Sequence, residues 1–305
     1  LELIGVHKDR LCEYACVQRN FKVLKWAHNE LDLPWAQYPA GHVNDDVLVL
    51  RMLREKWSKL QERWSVAVRP EDWEGVTMED GRVVGLYLMW MGLTGAVPAE
   101  IGQLASLETL DLYNNQLTSV PAEIGQLQSL RSLDLYNNQL TSVPAEIGQL
   151  TSLKLLVLFN NQLTILPAEI GQLTSLWRLD LTGNRLTSVP AEIWQLTSLE
   201  WLGLDGNQLT SVPAEIGQLA SLTVLYIGGN QLTSVPAEIG QLASLAELDL
   251  KSNQLTSLPA EIGQLTSLRE LVLFRNRLMC VPAAIHELRA AGCRVYLDDG
   301  VTVDE

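Results

Sequence analysis

Cysteine is scarce in this chain, four in 305 residues (Cys12, Cys16, Cys280, Cys293), which excludes the dense disulfide framework that holds small secreted domains together. Histidine is equally thin, and neither residue is spaced like the ligands of a zinc site. No apolar run reaches the roughly 18 residues a membrane-spanning helix needs. Positive charge is short as well: 22 Lys and Arg stand against 36 Asp and Glu, a formal net charge of −14. The clustered cationic face required by nucleic acid or an anionic membrane is missing, so neither is an expected partner. Also absent are a Gly-rich phosphate loop, a Gly-x-Ser-x-Gly elbow and a His-Glu-x-x-His helix. The expectation is a non-enzymatic chain with no cofactor and no metal. It begins Leu1-Glu2-Leu3 without Met, as if a signal peptide or a larger N-terminal region had been removed.

What the chain has is repetition. The phrase Leu-x-x-Leu-x-Leu-x-x-Asn-x-Leu, followed by Thr-Ser-Val-Pro-Ala-Glu-Ile-Gly-Gln-Leu-x-Ser, returns every 23 residues and places Asn at 115, 138, 161, 184, 207, 230, 253 and 276. A leading copy precedes these eight: Val83, Leu86, Leu88 and Leu93 hold the Leu positions, and Met91 stands where the Asn would be. Part of the acidity is therefore architectural, because Glu100, Glu123, Glu146, Glu169, Glu192, Glu215, Glu238 and Glu261 are one position repeated.

The alternating Leu-x-Leu segment has the period of a short strand with one buried face. Such a strand is too short to stand alone, so neighbouring copies must stack as a parallel sheet and bury each other's Leu side chains, worth roughly 1.5–3 kcal/mol each. The Asn, set where the chain leaves the strand, can donate and accept to the backbone of adjacent coils and form a structural ladder. Pro-Ala-Glu-Ile predicts a short helix or 3₁₀ turn on the outer side, with Pro at the first helical position and Glu at the positive end of the dipole. Strands about 4.8 Å apart inside and bulkier turns outside make a curved solenoid, concave on the sheet side.

The copies differ mainly in the strand. With Leu110 and Leu112 inward, residues 109, 111 and 113 and their equivalents face the concave surface. That wall offers Tyr87, Asp111, Tyr113, Asp134, Tyr136, Leu155, Val157, Phe159, Arg178, Asp180, Trp201, Asp205, Tyr226, Asp249, Lys251 and Phe274 as candidate binding residues. Aromatic and aliphatic side chains on a rigid sheet are what interfaces concentrate, and the interleaved Asp residues predict a partner with an apolar centre and a basic or hydroxyl-bearing rim.

On these motifs residues 83–278 resemble the leucine-rich-repeat family. The Pro-Ala-Glu-Ile-Gly-Gln-Leu segment is similar to its plant-type and intracellular Ras-group subfamilies. Trp73-Glu74-Gly75-Val76 followed by Gly81-Arg82-Val83-Val84-Gly85-Leu86 is similar to the start of plant receptor ectodomains. The paired cysteines that usually cap those extracellular arrays are lacking, which favours the cytoplasm over a secreted location. The resemblance implies an α/β solenoid, a curved parallel sheet inside and short helical or 3₁₀ turns outside. It implies a binding role, usually toward protein, as in a receptor, effector or immune-type sensor. A scaffold or oligomer-forming role and carbohydrate binding are the alternatives.

Three regions are expected: a helical N-terminal capping domain (1–72), the repeat array (73–278) and a C-terminal cap (279–305). Helical periodicity runs from His7 to Asn29, with Cys12 and Cys16 on one face, and again from Asp45 to Trp64. Arg19 to His28 is similar to an ankyrin-type helix pair. Trp26, Trp35, Trp57, Trp64 and Trp73 read as core and capping aromatics, and Arg51, Arg54, Lys56 and Lys59 as a solvated helix face. In the C-terminal cap, Pro282 onward reads as a helix stopped by Gly292, then a last strand from Cys293 to Leu297 and an acidic tail. Cys280 and Cys293 flank that helix, and the sequence leaves open whether they pair.

Overall fold

The computed structural model describes residues 45–304. The helix expected from His7 to Asn29, the ankyrin-like phrase, Cys12, Cys16, Trp26 and Trp35 lie outside the described residues.

The strand period becomes one long sheet. Strands β1 (Val76–Glu79), β2 (Arg82–Tyr87), β4 (Thr109–Asp111), β6 (Ser132–Asp134), β7 (Leu155–Val157), β8 (Arg178–Asp180), β9 (Trp201–Gly203), β10 (Val224–Tyr226), β11 (Glu247–Asp249), β12 (Glu270–Val272) and β14 (Arg294–Tyr296) lie side by side in that order. All neighbours are parallel except β1, which pairs antiparallel with β2. Strands β3 (Thr94–Ala96) and β5 (Gln116–Ser119) pair with each other apart from this sheet. Register is in phase from copy to copy, Leu110 opposite Leu133, Leu133 opposite Leu156 and Leu225 opposite Leu248. The Leu columns are fully buried as a single continuous core.

The Asn ladder closes the polar account of each turn. Asn184 donates through Nδ2 to Leu158 O (3.0 Å) and Leu181 O (2.9 Å), while its Oδ1 accepts from Leu163 N (3.0 Å). Asn115, Asn138, Asn161, Asn207, Asn230 and Asn253 do the same, each tying its own coil to the one before it. Asn276 repeats the pattern at the last turn, half-buried. The residue just before each ladder Asn has a left-handed backbone, Asn114, Asn137 and Asn160, then Gly183, Gly206 and Gly229, then Ser252 and Arg275. There the first three also bond to each other, Asn137 Nδ2 to Asn114 Oδ1 (2.5 Å) and Asn160 Nδ2 to Asn137 Oδ1 (2.6 Å).

On the outer side each copy makes a five-residue 3₁₀ turn, Ala122–Gln126 being one and Ala191–Gln195 another. Pro caps these turns instead of opening them: Pro98 to Pro259 are the N-cap residues, extended with ψ from 137° to 164°. The missing N–H is no loss at a cap, because an N-cap contributes its carbonyl to the turn. The Gly of Ala-Glu-Ile-Gly-Gln is needed for close approach, since a Cβ on Gly125 would lie 2.6 Å from Glu146 O of the next coil. Trp194 takes this position in one copy alone and is buried. The sheet continues unbroken there from Trp201 to Val224, while the outer turn that carries the indole packs less closely on the next one than its neighbours do.

Both ends are covered. Helices α1 (Asp45–Lys56) and α2 (Ser58–Arg63) bury Leu50, Leu53, Trp57 and Leu60 against the leading coil. Trp64 stacks on Trp73 at 4.8 Å. Asp46, wholly buried, accepts from Val83 N (2.7 Å) and pairs with Arg82 (2.9 Å). The basic run is not a uniformly solvated face, for Arg54 Nε donates to Trp64 O and Lys56 pairs with Glu100 of the first outer turn. The turn between β1 and β2 is Asp80-Gly81 with both residues at positive φ (48° and 78°), the requirement of a tight type I′ hairpin. At the far end, α3 (Ala284–Ala290) is followed by Gly292 at φ 94° and by β14. The acidic tail is not a loose end: β15 (Thr302–Val303) pairs with β13 (Cys280–Val281). Cys280 and Cys293 are both free thiols. Among the described residues no helix is long and apolar enough to cross a membrane.

Candidate binding surface

Each three-residue strand gives the open sheet face two columns, its first and third residues, and the residue two places beyond it adds a third; the structure sorts the candidate residues into distinct zones. Along the third column and the Trp90 beside it, rings from successive coils touch. Trp90 meets Tyr113 edge-on at 6.5 Å, Tyr113 meets Tyr136 at 6.2 Å, and Tyr136 stacks on Phe159 at 4.9 Å with planes 12° apart. The row ends where Gly183 leaves room beside the Phe159 ring. A second cluster lies further along. Arg178 sits 4.1 Å over the Trp201 ring, and Trp201 meets Tyr226 edge-on at 5.7 Å. Trp201 lies across Gly203, where a Cβ would collide with the indole. The expected single aromatic wall is thus two clusters, separated by the glycines and by Thr182. Leu155 and Val157 lie half-buried in the strand beside Phe159, and Tyr87 and Phe274 stand near the two ends of the face.

Two acidic candidates are not on display. Asp180 and Asp249 are only 6% and 8% exposed. Arg178 pairs with Asp180 (3.5 Å) and Lys251 with Asp249 (2.6 Å). Residues two apart on a strand share a face, so each cation folds over its own carboxylate. Asp111, Asp134 and Asp205 remain half-exposed and have no ion pair among the described residues. Each accepts one backbone N–H, from Tyr113, Tyr136 and Gly228 respectively. Burial pushes Asp111 up to about 6, assisted by the charge of Asp134. Burial does the same to Asp205, raised to about 6 with Asp249 adding to it, and it raises Asp134. The Tyr226 hydroxyl, donating to Glu247 Oε2 at 2.5 Å, is held well above the usual phenol range by burial and that carboxylate.

Trp90 belongs to the ring row although the reading of three columns passed over it. It occupies the position of Asn114 in the leading copy and is 67% exposed, so aligning the copies one residue further would have found it. Trp177, 41% exposed just before β8, was missed likewise. No group of three or more metal-binding side chains occurs among the described residues.

Comparison with known proteins agrees with this architecture. The family described as "Leucine-rich repeat region" matches residues 85–162 and 191–290, more than half of the chain, and "Leucine rich repeat" matches 163–209. The chain belongs to the leucine-rich repeat family. A probable leucine-rich repeat receptor-like protein kinase of Arabidopsis thaliana is 38% identical over 72 residues, 23% of this leucine-rich repeat chain and 8% of the kinase. An LRR protein of Leptospira interrogans is 42% identical, with TM-score 0.59, over 70% of this chain and 59% of that one. The ectodomain of the Arabidopsis receptor kinase HAESA, solved with an IDA peptide hormone, is 27% identical with TM-score 0.68, over 85% of this chain and 54% of that one. The chain thus spans a small part of the curated relative and little more than half of these two solved neighbours.

Proposed function

We propose that this leucine-rich repeat chain is a non-catalytic recognition module that holds a protein or peptide segment against the open, concave face of its sheet. The observation carrying this reading is the ring row Trp90, Tyr113, Tyr136 and Phe159: touching aromatics on a rigid surface, in the part of the coil that varies while the outer turns repeat almost unchanged. A peptide hormone bound to the HAESA ectodomain, a neighbour in fold, supports the same reading.

The test is selection from a displayed library of random twelve-residue peptides, about 12 residues being enough to lie along several coils at roughly 3.3 Å per residue. The intact chain is expected to enrich related sequences. The triple variant Tyr136→Ala, Phe159→Ala, Trp201→Ala is expected to lose them while its thermal unfolding shifts little, since these half-exposed rings stand outside the Leu core. Peptides that bind the triple variant as well as the parent would sink the concave-face reading.

A further inference from the structure

Beyond the ring row, the face carries a cavity of about 240 Å³ between β9 and β12. Asp205, Tyr226, Glu247, Asp249 and Glu270 line it together with Val272 and Lys251. That volume suits one long side chain and is too small for most whole ligands, whose pockets run to roughly 300–1,000 Å³. Four carboxylates against one ammonium define the charge of the visitor.

Most of that acidity is already engaged. Lys251 holds Asp249 (2.6 Å), Arg294 holds Glu270 (2.6 Å), and Glu247 accepts from the Tyr226 hydroxyl (2.5 Å). Among the described residues Asp205 makes no ion pair and accepts only the backbone N–H of Gly228 (2.5 Å), the Lys251 ammonium acting on it from across the cavity while bonded to Asp249. A partly buried carboxylate without a cation is costly, and an arriving cation relieves that cost. A guanidinium fits better than an ammonium. Its planar fork can donate to the Asp205 carboxylate and present a face to the Tyr226 ring, with Glu247 adding negative charge to the same cavity. The protein already uses such a contact one strand away, where Arg178 lies on Trp201.

The cavity and the ring row are on the same sheet face. From the coil of β7, which carries Phe159 just past the strand, to those of β10 and β11 is three to four strand spacings, about 14–19 Å at 4.8 Å each, or about five residues of extended chain. We propose, resting on the peptide-binding reading, that the partner is an extended segment with an arginine whose guanidinium enters the cavity beside Asp205, about five residues from an apolar or aromatic residue seated on Tyr136 and Phe159.

The same displayed library tests this with different variants, Asp205→Asn and Glu247→Gln, both checked by thermal melts. Asn keeps the acceptor for Gly228 N–H, so the fold is expected to persist, and Glu247→Gln provides an independent second variant. Expected from the parent is enrichment of arginine at a fixed offset of about five from an aromatic or aliphatic residue. Both variants should lose the arginine preference and keep the apolar one. A synthetic peptide of the enriched sequence should bind Asp205→Asn at least about tenfold more weakly, and its arginine-to-citrulline analogue should bind the parent with a similar loss. Enriched peptides that require Tyr136 and Phe159 but carry no arginine would overturn this inference and leave the concave-face reading standing. Enrichment indifferent to the rings, or none at all, would overturn both.

Discussion

Asn184 is the residue on which local stability can be read most directly. Replacing it by Leu leaves Leu163 N buried in mid-array without an acceptor, while Leu158 O and Leu181 O each lose one of two donors and keep the other, from Asn161 and Asn207. The orphaned amide costs about 1–3 kcal/mol and the two lost carbonyl contacts add to it, so Asn184→Leu is expected to destabilise by about 2 kcal/mol or more. Thr187→Ala, three residues on and exposed, should stay within about 0.5 kcal/mol. Thermal melts giving both variants the same midpoint would refute the ladder. The carboxylates make a second prediction at this scale. Asp111 and Asp205 hold their protons up to about 6, above their unfolded value of 3.8, mainly through burial. The native state therefore binds protons more readily than the unfolded state across that window, and stability falls as pH rises through it. The melting temperature is expected to climb between pH 7.5 and pH 5. Asp205→Asn should raise the midpoint at pH 7.5 and flatten the climb; a variant with the parent's full pH dependence would show that Asp205 titrates normally.

At the scale of the single coil, the outer turn inverts an ordinary rule. Gly→Ala at a compatible backbone position usually stabilises by about 0.4–1 kcal/mol through the unfolded chain. At Gly125 the added Cβ would lie 2.6 Å from Glu146 O and against the side chain of Gln149. Gly125→Ala is therefore expected to destabilise by about 1–3 kcal/mol, the cost of overpacking, and a denaturant midpoint at or above that of the parent would contradict the close packing of outer turns. The coil was also the level most legible in the sequence, because eight in-phase copies amplify a weak signal: the Leu columns, the Asn and the turn at Pro-Ala-Glu-Ile all follow from period. What was not read is whatever occurs once. Asp80-Gly81 carried a hairpin signal for β1, and the pairs Arg178/Asp180 and Lys251/Asp249 carried the two-residue spacing that buries an acid beneath a base. Trp194 broke the Gly position visibly, but only the distance between neighbouring turns gives that break its meaning.

Over the whole molecule, coils touch only their neighbours, so stability is close to a sum of coil and interface contributions and damage should stay near its source. The N-terminal seal hinges on Asp46, which joins α1 to β2 through Val83 N and Arg82. Truncating it orphans a buried amide and strips Arg82 of its partner, a loss of about 2–4 kcal/mol. In a globular core that loss would weaken every region together. Here it should open the leading coil first, exposing the Leu86 and Leu88 end of the core, while the hydrogen bonds of β9 to β12 remain closed. Hydrogen exchange of Asp46→Ala by mass spectrometry is the measurement. Peptides covering 76–93 are expected to exchange far faster than in the parent, those covering 201–272 nearly as before. Equal acceleration along the chain would mean that the array unfolds as one unit and that the open sheet face cannot be altered at one end without loosening the other.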